Sequence, residues 1–199
     1  MMIKAAVLSA LFSQCAPDVS PVTLNALIGV ESAGKPYVVA NVTDNTSHYF
    51  DNKEKAIFFI NDLSSKNKRY SAGLMQIYSG NFKAYGLTNE TVFDHCTNIK
   101  TGAEILKSCY NTASKETSDP QIALRKAMSC YYSGNFTRGF KQESDGKSYV
   151  QRIELKVNKD FAVPEMKVAG EQKKSSPDKT VVYSNQEKQK NDWDVFGDY

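Results

Sequence analysis

The chain has 199 residues, 41% of them hydrophobic, and 25 Lys and Arg against 22 Asp and Glu for a net charge of +3. That suits one packed core with sequence left over, and without an arginine-rich stripe or an aromatic basic patch it gives no case for a nucleic-acid partner. No run approaches the roughly 20 apolar residues of a spanning helix, so no membrane anchor is expected.

In chain order, Lys4 followed by the apolar run Ala5 to Phe12 has the order of a secretory signal, although the run is short and Ser13-Gln14-Cys15-Ala16 is a poor cleavage site. Residues 1–16 are therefore a candidate export signal, and export is expected. Ser20 with Pro21 reads as an N-cap and first-turn proline, and the helix it opens carries Leu24, Leu27, Ile28 and Glu31 at i, i+3, i+4 and i+7. A carboxyl on an apolar stripe is costly to ionise, which raises its pKa towards the range a general acid needs. Gly34 before Lys35 and Pro36 stops that helix, so Glu31 stands in its last turn.

Val38 to Tyr49 and Lys66 to Ser71 read as irregular or short β segments lining a cleft. Between them Asp51 or Asn52 opens a helix through Ala56, Ile57, Phe59, Ile60 and Leu63. Gly73-Leu74-Met75-Gln76-Ile77 sets a glutamine, both donor and acceptor, among apolar residues beside a glycine that permits close approach. Asn98, Ile99, Ala103, Leu106 and Tyr110 form the next helix, with Cys96 expected just before it and Cys109 inside it. Asp119 with Pro120 opens a further helix through Leu124, Ala127, Met128 and Tyr131, and Tyr149-Val150 begins the last one. The fold class is mostly α.

Four cysteines suggest disulfides in an oxidising compartment, since there is no Cys-x-x-Cys and the two histidines, His48 and His95, are far apart. No metal or other cofactor is expected. Cys96 and Cys109 would lie roughly 18 to 20 Å apart along their helix, beyond the Cα separation of about 7 Å that a disulfide allows. This disfavours that pair and its complement, Cys15 with Cys130. Cys15 is expected to pair with Cys96 or with Cys109.

From Glu165 to Asn191 the chain is almost devoid of apolar residues, and residues 163–199 are expected to be a disordered tail. At its end Trp193, Val195 and Phe196 stand among Asp192, Asp194 and Asp198, a pattern suited to docking on a partner.

Glu31-Ser32-Ala33-Gly34, Gly73-Leu74-Met75-Gln76-Ile77, Tyr131 before a Ser-Gly pair and Tyr149-Val150, in that order, resemble the motifs of the lysozyme-like lytic transglycosylases of bacterial cell walls. Cys15-Ala16-Pro17, Cys130-Tyr131-Tyr132-Ser133-Gly134-Asn135-Phe136-Thr137 and Trp193-Asp194-Val195-Phe196 resemble the VirB1 branch, which accompanies type IV secretion and conjugation machines. The resemblance implies a lysozyme-like domain over residues 17–162 and peptidoglycan strands as substrate, cut between N-acetylmuramic acid and N-acetylglucosamine. It also implies a type IV secretion partner for the tail. By the same resemblance Glu31 is the acid, Ser71, Met75, Gln76, Tyr131 and Tyr149 are substrate contacts, and the Tyr131 hydroxyl also orients the glutamate; Tyr132, a departure from the family pattern, is a candidate to stack on a sugar. Two departures stand out: Tyr132 replaces a common asparagine, and Tyr78 follows Ile77 where a smaller residue is usual.

Glycosidic cleavage usually takes two carboxylates, yet only Glu31 has a motif around it; Asp44 and Asp51 have no patterned neighbourhood. In the family the 6-hydroxyl of N-acetylmuramic acid is the nucleophile, leaving a 1,6-anhydro end. A hydrolytic muramidase and a non-catalytic wall-binding assembly factor are the alternatives.

Overall fold

The structure is a computed structural model and describes residues 2–160. The tail expectations, Trp193, Val195 and Phe196 among them, lie outside the described residues.

The apolar run at the N-terminus is a helix of the domain. α1 (Ala5–Cys15) buries Leu8, Phe12 and Cys15, spaced to share one helix face, and it packs on α4 (His95–Ala113). The Ile3 amide donates to the Gly34 carbonyl at 2.9 Å. Residues of the candidate export segment thus contribute core side chains and one half of a disulfide.

α2 (Pro21–Glu31) begins on the expected proline, although Ser20 makes no side-chain cap bond. α3 (Lys53–Ser65) is capped by Asn52, whose side chain accepts from the Lys55 amide at 3.0 Å. α4 starts earlier than expected, because Asp94 accepts from the Thr97 amide at 2.8 Å and draws His95 and Cys96 into the first turn. α5 (Pro120–Ser133) is capped by Asp119 and closed by Gly134 in the left-handed conformation at φ 73°. α6 (Tyr149–Asp160) packs along α2, and α5 along α4.

The segments expected to be irregular or short β supply three strands of one antiparallel sheet in the order β2-β1-β3-β4, and the fourth lies beyond them, at the end of the Gly73-Leu74-Met75-Gln76-Ile77 motif. Its strands are β1 (Val38–Asn41), β2 (Thr46–Tyr49), β3 (Tyr70–Ala72) and β4 (Ile77–Tyr78). Ala40 faces Ser71 across β1 and β3, and Ala72 faces Ile77 across the β3–β4 hairpin. The fold is a mostly α, lysozyme-like domain with a small sheet, as the motif order implied. Among the described residues no helix is long and apolar enough to cross a membrane.

Two disulfides are present, Cys15–Cys96 and Cys109–Cys130, with Cα separations of 5.2 and 5.8 Å. The first is one of the two partners expected for Cys15. Its sequence separation is 81 against 21 for the second, so in the chain-entropy picture it restrains the unfolded chain by about 1 kcal/mol more. Replacing Cys15 and Cys96 by serine is expected to cost about 4 kcal/mol, against about 3 kcal/mol for Cys109 and Cys130. Denaturant titration of the two double variants under non-reducing conditions checks that order.

Candidate active site

Glu31 is the last residue of α2, one turn beyond Leu27 and Ile28, which are fully buried with Leu24. The helix cannot continue, since Ala33 and Gly34 both take left-handed backbone at φ 52° and 72°. The residue keeps part of its surface on a cleft of about 800 Å³. Protein atoms crowd the carboxyl all the same, and that burial lifts its pKa to about 7 against a smaller opposing pull from the Tyr149 hydroxyl.

The opposite wall is built from the sheet. Ser71 on β3 and Gln76 in the β3–β4 hairpin line the cleft with Ala40 of β1. The hairpin is fixed from behind by Asn98 of α4, which is fully buried. Its side chain donates to the Ala72 and Val92 carbonyls at 3.1 and 2.8 Å and accepts from the Met75 amide at 2.7 Å. Gly73, at φ 84°, allows this: a Cβ there would stand 2.2 Å from the Asn98 amide nitrogen.

Gln76 sits at φ 46°, and its side-chain nitrogen donates to the Val38 and Gly73 carbonyls at 3.1 and 2.8 Å. Both amide hydrogens are thereby committed, so the expected donor and acceptor role reduces to the oxygen alone. Met75 does not reach the cleft. It is 0% exposed with its side chain against Gly102, so it offers no apolar face to a sugar.

The hydroxyl at Glu31 is not that of Tyr131, the tyrosine expected to orient it. Tyr131 lines the cleft, but its hydroxyl donates to the Met75 carbonyl at 2.6 Å. The hydroxyl that reaches Glu31 belongs to Tyr149, buried at the start of α6, which donates to Oε1 of Glu31. Tyr149 is therefore a hydrogen-bond partner of Glu31, at a position expected to contact substrate. Burial, then the nearby Glu31, holds both tyrosines well above their ordinary pKa, which keeps both protonated. Tyr132, at the asparagine position, lines the cleft and stacks on Tyr149 with centroids 4.5 Å apart and planes 14° from parallel.

Glu31 is the only carboxylate among the described residues lining the cleft. Asp44 lies at the β1–β2 turn, bound by Asn41 and Lys68, and Asp51 faces solvent beside Lys55 at 3.8 Å. Arg69, Asn81, Tyr85 and Arg138 also line the cleft. Asn81 and Tyr85 belong to two 3-10 turns, Ser79–Asn81 and Lys83–Tyr85, and no periodic pattern in the sequence marks them.

Residues 10–153 match the model of the Transglycosylase SLT domain. The chain belongs to the SLT transglycosylase family. Its relatives include the type IV secretion system protein virB1 of Brucella abortus, 40% identical over 144 residues that make up 72% of this chain and 60% of that protein. The virB1 protein of Agrobacterium fabrum is 32% identical over 189 residues, 94% of this chain and 69% of that protein, and that of Rhizobium radiobacter is 38% identical over 143 residues. The chain thus spans less than two thirds of the length of the Brucella relatives. No solved structure matches it. Within the SLT family it is VirB1-like, and its Glu31 cleft falls inside the matched region.

Proposed function

We propose that this chain is a peptidoglycan lytic transglycosylase that opens the cell wall locally for a type IV secretion or conjugation apparatus. The carrying observation is the lone carboxylate. With Glu31 the only carboxylate on the cleft among the described residues, a mechanism that fixes a second carboxylate as nucleophile or water-activating base has no described residue for that task.

The substrate supplies the missing group. Glu31, protonated up to about pH 7, gives its proton to the glycosidic oxygen as the bond from the anomeric carbon of N-acetylmuramic acid breaks. The Tyr149 hydroxyl holds the other role at this carboxyl, donating to the oxygen that becomes anionic. The 6-hydroxyl of the same sugar then bonds to the anomeric carbon and returns its proton to Glu31. The products are a free 4-hydroxyl on N-acetylglucosamine and a 1,6-anhydro muramic end. No water is consumed.

Ser71, Gln76, Tyr131 and Tyr132 are assigned to the glycan because they line the same cleft. Two disulfides favour an oxidising compartment, and we place the protein in the periplasm. Contact with the secretion apparatus is assigned to the segment around Trp193, Val195 and Phe196.

Mass spectrometry of muropeptides from a digest of purified peptidoglycan tests the reaction. Anhydro ends, one water lighter than reducing ends, are the expected product. Reducing ends would make the protein a muramidase, and an untouched polymer would leave it a wall-binding factor.

A further inference from the structure

Beside the acid lies a charged cluster that the chemistry above does not use. Glu143, in the loop ahead of α6, accepts from the Tyr132 hydroxyl at 2.5 Å. Its two carboxylate oxygens are also held by Arg152 of α6 at 2.9 Å and by Arg138 of the 3-10 turn Arg138–Phe140 at 3.5 Å. Arg138 in addition stands 5.6 Å from the centre of the Tyr132 ring. Arg152 is itself anchored, with Asp145 accepting from it at 2.9 and 3.3 Å. The Tyr132 hydroxyl, ahead of the two arginines, holds the Glu143 carboxyl below the usual carboxylate range, so Glu143 is an anion at any working pH.

Tyr132 is 39% exposed and projects from the end of α5 into the cleft. A tyrosine so placed has little packing of its own to fix its ring. Its hydroxyl is tied at one end, and one ring face lies flat on Tyr149. Tyr149 in turn donates to Glu31. From Glu143 to Glu31 there is thus an unbroken chain of one hydrogen bond, one ring stack and one hydrogen bond, crossing from the loop to α5, to α6 and to α2.

We propose that Glu143 is a positioning residue for the acid: clamped by Arg138 and Arg152, it fixes the Tyr132 ring against Tyr149 and so aligns the hydroxyl that donates to Glu31. Glu143 makes no hydrogen bond to Glu31 and is not among the residues lining the cleft. Its influence passes through the two tyrosines. The inference rests on Glu31 as the acid, but it concerns the state of that carboxyl and can be read without turnover.

The test is the titration of Glu31 followed by carbon NMR in the full chain carrying labelled glutamate, with Glu31→Gln to assign the signal. Glu143→Ala frees Tyr132 and weakens the Tyr149 bond, which favours the ionised acid, so the Glu31 titration is expected to move up by about half a pH unit. Glu143→Gln keeps a carbonyl acceptor for Tyr132 and is expected to leave the titration within error of the unaltered protein. Asp145→Ala removes one anion and one partner of Arg152 without touching Tyr132, and it too should leave the titration unmoved. In a Tyr149→Phe background Glu143→Ala should add no further shift, because the bond through which it acts is already gone. An unchanged titration in folded Glu143→Ala, a downward shift, or an equal shift in Asp145→Ala overturns the proposal. Failure of the unaltered protein to cut peptidoglycan would instead sink the transglycosylase assignment while this measurement still stood.

Discussion

Glu31→Gln is expected to lose wall-cleaving activity by at least about three orders of magnitude while the protein becomes more stable at neutral pH. The activity loss follows from the proposed mechanism, in which one carboxyl serves as acid and then as base and the amide can do neither, and general acid–base catalysis contributes about 10² to 10⁴. The gain in stability follows from linkage. Burial raises the folded pKa of Glu31 from 4.5 to about 7, so between those values the folded state binds more protons than the unfolded one, and stability falls as pH rises through that window. At pH 8 the unaltered protein bears that cost in full; the glutamine variant does not. A full shift of this size corresponds to about 3 kcal/mol, and the partial contact of Glu31 with the cleft reduces the expected gain to about 1 to 2 kcal/mol. Clearing of a peptidoglycan gel gives the first quantity and thermal denaturation at pH 5 and pH 8 the second. Equal melting behaviour of the two proteins at both pH values would mean that the carboxyl is not desolvated.

Local signals carried most of the architecture into the sequence. Proline after Ser20, Asp119 before Pro120 and the Leu24, Leu27, Ile28 stripe act within one or two helical turns, and helices form where they stand. α1 was legible as an apolar run but not as core, because a short apolar helix packed on α4 and a secretory h-region have the same composition. Cys96 was placed outside its helix because the Asp94 cap precedes the periodic residues. The motif residues Glu31, Ser71 and Gln76 all line one cleft, but a motif cannot say which of two similar side chains meets Glu31. Tyr131 and Tyr149 are both tyrosines near helix ends. Only their long-range partners, the Met75 carbonyl and Glu31, separate them, at sequence separations of 56 and 118. Glu143 was invisible for the same reason, because its meaning comes from Tyr132, Arg138 and Arg152 meeting in space.

Tyr149→Phe is expected to lower kcat about 10- to 100-fold and to move the alkaline limb of the pH profile upward. The ring remains, so the packing of α6 on α2 and the stack on Tyr132 survive and the fold should be unaffected; only the hydroxyl that donates to Glu31 is removed. That hydrogen bond favours the ionised carboxyl and is the one influence lowering the Glu31 pKa against burial. Without it the carboxyl stays protonated to higher pH, so the rate, expected in the unaltered protein to fall as pH passes the Glu31 pKa of about 7, should fall later. A higher pKa makes Glu31 a weaker acid towards the leaving oxygen, and a freely rotating carboxyl spends less time aimed at it; both lower kcat. KM should hardly change, because Tyr149 is buried and does not line the cleft. Tyr131→Phe provides the contrast. Its hydroxyl serves the Met75 carbonyl, so its loss should loosen the β3–β4 hairpin that carries Gln76, raising KM and leaving the alkaline limb in place. Initial rates on soluble glycan strands across pH 5 to 9 separate the two tyrosines, and an upward shift in Tyr131→Phe with none in Tyr149→Phe would return the orienting role to Tyr131.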